Sequence, residues 1–304
     1  MTELELQSEY VMDFFCRRAD GLGFREVKNN AVSPDLFISA NLYEFLKENS
    51  RKAWNNLLKK SEYNGDEQKL LHAIMDMIRE KIEASANVAV FLNKNRAITF
   101  EGETLQLIYV SGSELRGDED FNKNIFAAVE EMSYSFHHDA KKIFAFRPDL
   151  SFFVNGIFLG YAELKSNFTN QTAKTNGRNK IITDYLEVVW EYTKIANGDD
   201  VSQTLRRRML RPFEKSIHLV TTDITDTYIL RDPGQFFDEA RFSRQHHLDF
   251  FFPSGGGEGI QASTHKTGGG NRSARSLRRG NAFALLQEDD RERDPLLQLH
   301  GLYL

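Results

Sequence analysis

Apolar residues recur at helical spacing in several segments of the chain and predict helices there. The clearest segment is 66–85, where Asp66 is a suitable N-cap and the apolar positions form one continuous stripe. Residues 2–20 show a weaker version of the same pattern, and a third helix is predicted over 181–195. The stripe of the clearest helix contains Leu70, Leu71, Ile74, Met77, Ile78 and Ile82.

Other segments are rich in β-branched and aromatic residues and predict strands. The longest, 144–166, has Asn155-Gly156 near its middle, a dipeptide that accepts the positive φ angles of a type I′ turn and so predicts a β-hairpin. Strands flanked by helices on both sides in sequence predict an α/β fold, in which helices cover a mixed central sheet. The remaining predicted strands are Val88–Leu92, Ile98–Phe100, Leu105–Val110, Ser216–Thr221 and Thr227–Leu230.

Composition divides the chain into three parts. Residues 1–235 have the apolar pattern of a folded domain, whereas 236–286 are basic and rich in glycine. The last part, 287–304, begins with a run of charged residues and does not resemble the edge of a domain. We therefore hypothesise a frameshift near Leu286, which would make the chain a truncated form of a longer protein.

Charge and cysteine content narrow the function only slightly. The net charge of −5 does not indicate a nucleic-acid-binding protein, although a nuclease also needs acidic residues to hold metal. The single cysteine, Cys16, cannot form an internal disulfide and suits a reducing, cytoplasmic location. No run of 18 apolar residues is present, so the sequence predicts no membrane segment.

Three residues of the predicted hairpin carry the candidate chemistry. Asp149 stands before its first strand, and Glu163 and Lys165 are two residues apart on its second strand, so these two point to one face. A pair of carboxylates suits Mg²⁺, which prefers oxygen ligands and keeps several waters. The metal would stabilise charge on a phosphate and lower the pKa of a bound water, which Lys165 would help to position. The grouping predicts metal-assisted hydrolysis of DNA phosphodiester bonds.

Regular pairing across this hairpin conflicts with such a site. With a two-residue turn, Asp149 pairs with Ala162, and Glu163 then lies on the opposite face of the sheet. One extra residue in the second strand would bring Glu163 opposite Asp149. We therefore predict a bulge or another irregularity within Leu159–Glu163, and Gly160 is a natural place for it. Alternatively, if the first strand began late, Asp149 would lie outside the regular pairing and could turn toward the face of Glu163.

Three stretches of the hairpin resemble the N-terminal nuclease domain of the R (restriction and translocation) subunit of type I restriction-modification enzymes, a group within the PD-(D/E)xK nuclease superfamily. These stretches are Arg147-Pro148-Asp149, Phe153-Val154-Asn155-Gly156 and Glu163-Leu164-Lys165-Ser166. The resemblance covers roughly residues 1–235 and is most specific in the hairpin.

This resemblance implies a restriction-endonuclease-like fold, with Asp149 and Glu163 as ligands of Mg²⁺ and Lys165 as the catalytic lysine. It implies double-stranded DNA as the substrate, and methyltransferase and specificity subunits as partners. An ATP-driven translocase would follow the nuclease domain in the whole subunit. No ATPase motif stands in the present sequence, so ATP is expected only for the missing motor region.

The resemblance also points to residues outside the hairpin. Family members often carry an acidic residue on the first helix near the metal, and Glu9 is the candidate here. Many also carry a Gln-x-x-x-Tyr pattern after the lysine. Tyr185 matches its tyrosine, but Ile181 stands at the glutamine position. Arg178 and Lys180, just upstream, would either contact DNA phosphates or remain ordinary solvated charges.

Two alternatives stay open on the sequence alone. The chain could be a catalytically inactive nuclease-fold module that binds DNA or docks partner subunits. It could also be a nuclease of another system, such as a solitary restriction enzyme.

Overall fold

The structure, a computed structural model, describes residues 11–17, 19, 21–110, 120–138, 141–166, 170–182, 215–216, 218–223, 226–231 and 251–253. Its strands are β1 (Arg25–Val27), β2 (Ala97–Phe100), β3 (Glu103–Gln106), β4 (Phe126–Glu130), β5 (Tyr134–His138), β6 (Lys141–Phe146), β7 (Leu150–Val154), β8 (Ile157–Leu164), β9 (His218–Thr222), β10 (Thr227–Arg231) and β11 (Phe251–Pro253). Its longer helices are α1 (Ser39–Asn49), α2 (Arg51–Leu58), α3 (Glu67–Glu83) and α4 (Val88–Lys94).

Short helical segments complete these elements. A π-helical turn covers Asp13–Arg17, and 3₁₀ turns cover Asn29–Ala31 and Phe121–Lys123. After β8, a π-helical turn at Ala173–Gly177 continues directly into an α-helical turn at Arg178–Lys180. We refer to these last two turns together as the site helix. Within the described ranges, no helix is both long enough and apolar enough to cross a membrane.

Seven strands form one mixed sheet in the order β1-β4-β7-β8-β9-β10-β11. The pairs β1–β4 and β8–β9 are parallel, and the other neighbours are antiparallel. The site helix lies in the chain between β8 and β9, as a parallel pair requires a crossover connection. The predicted α/β class with a mixed sheet is confirmed. β8 is the central strand, which explains why all eight of its residues are buried.

Among the described residues, two apolar clusters join the helices to the sheet. The larger cluster joins α1 to α4 with the turn end of the β7–β8 hairpin, including Val154, Ile157 and Leu159. The second cluster joins the N-terminal turn with the other end of the hairpin, where the rings of Phe15 and Phe152 lie 5.2 Å apart. Each end of the hairpin is therefore fixed by its own core.

The turn of this hairpin has the predicted geometry. Asn155 and Gly156 both have positive φ, at 48° and 81°, as a type I′ turn requires. The fully buried Asn155 side chain donates to the Leu107 carbonyl at 2.8 Å and accepts from the Ile125 amide at 2.7 Å. The Gly156 carbonyl accepts from the Ile38 amide at 2.9 Å. The turn is thus tied to three separate segments of the chain.

One predicted strand is wrong. Val88–Leu92 lies in helix α4, which Asn87 caps by accepting the Val90 amide at 2.9 Å. A short apolar run does not distinguish a buried strand from a buried helical turn, and here the N-cap side chain decides for the helix. The helices α1 and α2 were not predicted, although both pack their apolar faces into the larger cluster.

Most other predicted elements occur where they were expected. Helix α3 begins after Asp66, whose side chain accepts the Lys69 amide at 3.0 Å. The hairpin of β2 and β3 forms a separate two-stranded sheet, and β9 and β10 match the two strands predicted after residue 215. The strand predicted over Leu105–Val110 is only partly confirmed, because β3 ends at Gln106. Some predictions concern residues outside the described ones. These are the parts of the predicted helices at 2–10 and 183–195, the segment 236–286 except for 251–253, and the segment 287–304.

The tight turn gives a stability prediction. A Cβ added at Gly156 would overlap the Ile38 carbonyl oxygen and lie 2.8 Å from the Leu42 amide nitrogen. Gly102 has a similar φ of 85° but open space around it, so Gly102→Ala measures the cost of the φ angle alone, about 1–2 kcal/mol. We expect Gly156→Ala to lower the free energy of unfolding by at least about 1 kcal/mol more. Urea denaturation measures both, and equal losses would contradict the close packing.

Candidate active site

A β-bulge sets the register at the candidate site. Phe153 pairs with Phe158, but Phe152 pairs with Gly160, so Leu159 is an extra residue in β8. If the register at the turn continued unbroken, Asp149 would stand opposite Ala162. The bulge moves Ala162 opposite Leu150, which places Glu163 opposite Asp149. The predicted irregularity is confirmed, one residue before the glycine that was its expected place.

Asp149 is anchored at the start of β7. Its carboxylate oxygen Oδ2 accepts the backbone amide of Leu164 at 2.6 Å, directly across the hairpin. Its own carbonyl accepts the Glu131 amide at 2.9 Å, which extends the pairing of β4 with β7. Asp149 is partly buried. Its carboxylate is therefore held at the edge of the strand pair, beside the backbone that carries Glu163.

Glu163 is the most deeply buried charged group of the site. Its side chain has 0% exposure, and its Oε2 atom lies 3.8 Å from Lys165 Nζ and 2.6 Å from Lys180 Nζ. The Lys165 side chain is 5% exposed and also donates to the Leu164 carbonyl at 2.7 Å. A buried carboxylate is costly unless it is paired with a cation. Here two ammonium groups supply that charge.

The site helix places Lys180 near Glu163 because the backbone of the helix packs directly against β9. Thr221 pairs with Glu163 across β8 and β9 and shares its face of the sheet. A Cβ added at Gly177 would overlap the Thr221 hydroxyl and lie 2.8 Å from Thr221 Cβ, so the helix can approach this closely only at a glycine. Lys180, three residues on, is then within reach of Glu163.

A second contact fixes the beginning of the site helix. The buried carboxylate of Asp223, just after β9, accepts the Ala173 amide at 2.6 Å. Its other oxygen accepts the Asp226 amide at 2.9 Å in the turn before β10. One carboxylate thus connects the β9–β10 turn to the first residue of the helix that carries Lys180.

Arg178, on the same helix, contacts the ring of Tyr228. Its guanidinium lies 4.6 Å from the centre of the Tyr228 ring, and its Nε donates to the Lys174 carbonyl. Burial raises the pKa of Tyr228, and the nearby Asp226 carboxylate raises it further. Arg178 acts in the opposite direction, because a cation favours the ionised phenol.

The structure brings the three hairpin residues predicted from sequence into one place. Glu9 and Tyr185 lie outside the described residues. Lys180 is not the ordinary solvated charge that was one of its two interpretations, since it is paired with Glu163. Contact of Arg178 or Lys180 with DNA stays a prediction.

Sequence reasoning missed Thr221, Gly177 and Asp223. A usable signal was present for Asp223, because it follows an apolar strand that runs parallel to the one bearing Glu163. The carboxyl ends of parallel neighbours meet at the same edge of a sheet, which is where polar functional groups collect. Nothing in the sequence indicated that Gly177 would lie against Thr221.

The donor set suits a hard cation that keeps most of its waters. Asp149, directly before β7, and Glu163, in the adjacent β8, supply carboxylate oxygens, and the Leu164 carbonyl directly follows Glu163 in sequence. Among the described residues, no group of three or more His, Cys, Asp or Glu side chains is placed to hold a metal. Two carboxylates with water fit Mg²⁺, which seldom uses a cage made of protein atoms alone.

A mixed sheet in which a bulged hairpin aligns Pro148-Asp149 with Glu163-Leu164-Lys165 defines the class of restriction-endonuclease-like folds with a PD-(D/E)xK motif. The particular family follows from a family model, that of the type I restriction enzyme R protein N terminus, which matches residues 2–207. The match covers about two thirds of the 304 residues, and the chain belongs to this family. No curated protein and no solved structure matches the chain.

The anchoring of the site helix can be tested by removing the Asp223 carboxylate. Asp223→Ala leaves the Ala173 and Asp226 amides without their acceptor, so we expect a loss of about 2–4 kcal/mol in the free energy of unfolding. Amide hydrogen exchange in residues 173–182 should also become faster. Asp226→Ala, at an exposed neighbouring carboxylate, serves as the control and should cost less than about 0.5 kcal/mol. Equal effects of the two variants would refute the anchoring role.

Proposed function

We propose that this domain is a Mg²⁺-dependent endonuclease that hydrolyses DNA phosphodiester bonds as part of a type I restriction enzyme R subunit. The observation that carries the proposal is the bulge at Leu159, which brings Glu163 opposite Asp149 beside Lys165. A bulge that aligns two carboxylates and a lysine is of no evident use to a purely structural sheet, since it places buried charge in the central strand.

Asp149 and Glu163 would hold the metal. When bound, Mg²⁺ supplies positive charge at the scissile phosphate and makes a bound water more acidic. Asp149 is suited to this role because one of its oxygens is fixed by the Leu164 amide, so its carboxylate is already oriented. Glu163 is suited to it because its surroundings exclude water, which strengthens its attraction for a cation.

Lys165 would act on the phosphate and on the attacking water. Its ammonium is oriented by the Leu164 carbonyl and balanced by Glu163, so it is fixed before a substrate arrives. A preorganised cation at this position offsets the negative charge that develops on the phosphate during hydrolysis. It can also orient the water that attacks phosphorus, or receive a hydrogen bond from it after losing a proton.

The family supports further proposals on partners. Double-stranded DNA is the proposed substrate, with methyltransferase and specificity subunits as partners in a cytoplasmic restriction complex. ATP would be used by motor domains of the whole subunit and not by the described domain.

One observation favours a second candidate, the inactive DNA-binding or docking module. Glu163 has no exposed surface, and its Oε2 atom is already paired with Lys180. A degenerate nuclease would keep this ion pair and bind no metal. Titration with Mn²⁺ separates the candidates, because only a competent site binds the ion and loses that binding in Asp149→Asn.

The proposed nuclease function is tested by replacing each of the three side chains assigned to it. We expect Asp149→Asn, Glu163→Gln and Lys165→Met to lower Mg²⁺-dependent nicking of plasmid DNA by at least about 100-fold, with folding retained by circular dichroism. Glu131→Gln, at an exposed carboxylate paired with Arg147, is the control and should nick at the wild-type rate. Full activity in any of the three variants would disprove its assigned role.

The same variants are measured by Mn²⁺ titration, because cleavage by the isolated chain can depend on the assembled complex. Asp149→Asn and Glu163→Gln should bind Mn²⁺ at least about tenfold more weakly than the wild type, since each loses a charged ligand. Unchanged affinity in both would count against the proposed metal site even if no nicking is seen.

A further inference from the structure

Lys180 is the more exposed of the two lysines beside Glu163. Its side chain is 31% exposed, whereas the Glu163 side chain is fully buried, and its Nζ is the nearer of the two ammonium groups. A divalent cation that reaches Glu163 from solvent therefore meets Lys180 first. One of the two oxygens that this carboxylate could offer to a metal, Oε2, is already paired with the Lys180 ammonium.

The two lysines differ in how firmly they are held. Lys165 is nearly fully buried directly after the central strand, and its Nζ also donates to the Leu164 carbonyl. Lys180 stands on the site helix and reaches Glu163 with a partly exposed side chain of four methylene groups. Of the two, Lys180 can move its ammonium group into solvent without a change in the sheet.

Binding of a metal ion would change the balance of charge at this site. Without metal, the ammonium groups of Lys165 and Lys180 balance the carboxylates of Asp149 and Glu163 at the same site. A divalent cation added to this group leaves an excess of two positive charges in a poorly solvated place, which is unfavourable unless an anion arrives or a cation leaves.

We propose that Lys180 is a tethered counter-ion that competes with the divalent metal for Glu163 and moves to a DNA phosphate when the metal binds. The proposal rests on the proposed nuclease function. It makes metal and DNA binding mutually supportive, because the phosphate stabilises the displaced ammonium and the metal releases it. The empty site is then kept closed by an internal ion pair, and it opens when both metal and substrate are present.

The helix position supports a dedicated role for this lysine. Gly177 against Thr221 and Ala173 against Asp223 fix the helix at two points, so Lys180 starts from a defined place above Glu163. Lys174 on the same helix is exposed, which makes it a matched control for removal of one positive charge.

The test is calorimetric titration of the full chain with Mn²⁺ in the absence of DNA. We expect Lys180→Met to bind Mn²⁺ about five- to tenfold more tightly than the wild type, because the competing cation is gone. Lys174→Met should stay within about twofold of the wild type, and Lys180→Arg should not show the tightening. A short DNA duplex should tighten Mn²⁺ binding in the wild type and do so less in Lys180→Met.

These titrations test the competition by Lys180 separately from the proposed nuclease function. If wild-type Mn²⁺ binding is lost in Asp149→Asn but Lys180→Met binds no more tightly, the competition is wrong and the nuclease site stands. If neither the wild type nor Lys180→Met binds Mn²⁺, both proposals fail. Should Lys180→Met not fold, Lys180→Gln repeats the test with a neutral side chain that can still donate to Glu163, and unchanged affinity there also refutes the competition.

Discussion

The buried carboxylate of Glu163 is the constraint on which the rest of the structure depends. It lies in the central strand of the sheet with no exposed surface, and a charge in that position is stable only with opposite charge beside it. Lys165, directly after the strand, supplies opposite charge, and so does Lys180 on the site helix. The close approach of that helix to β9, and hence the need for glycine at position 177, follow from this requirement.

The hairpin meets a second requirement, because its register must not slip. A shift of one residue would move Glu163 to the opposite face, into the apolar cluster that contains Phe15 and Phe152. The buried Asn155 side chain ties the turn to two other segments, and each end of the hairpin packs into a different core. The bulge at Leu159 is thus held between two fixed ends, so the opposition of Asp149 and Glu163 is a property of the whole domain.

The nuclease function proposed from membership of the type I restriction R family would explain why charge is placed at such a costly position. A group that must bind metal and phosphate benefits from poor access to water, and the stability of the sheet compensates for its burial. The same burial brings Lys180 to the site, since Glu163 Oε2 lies 2.6 Å from its Nζ and 3.8 Å from Lys165 Nζ. The structure therefore combines the aligned Asp149, Glu163 and Lys165 with a second lysine, Lys180, paired with the buried carboxylate.

The sequence by itself determined the hairpin, its turn and the three residues that meet beside it, because Asn155-Gly156 and the alternation around it are local signals. The register of a two-residue turn also predicted an irregularity in the second strand, and the bulge at Leu159 is that irregularity. Other features depended on contacts between distant segments. Helix α4 was mistaken for a strand because a short apolar run suits both, and packing chose the helix. The placement of Lys180 on Glu163 came from Gly177 against Thr221 and Ala173 against Asp223, pairs that are separated by more than 40 residues in the chain. Only the tertiary structure brings such residues together, because no local pattern records which surface a helix will cover.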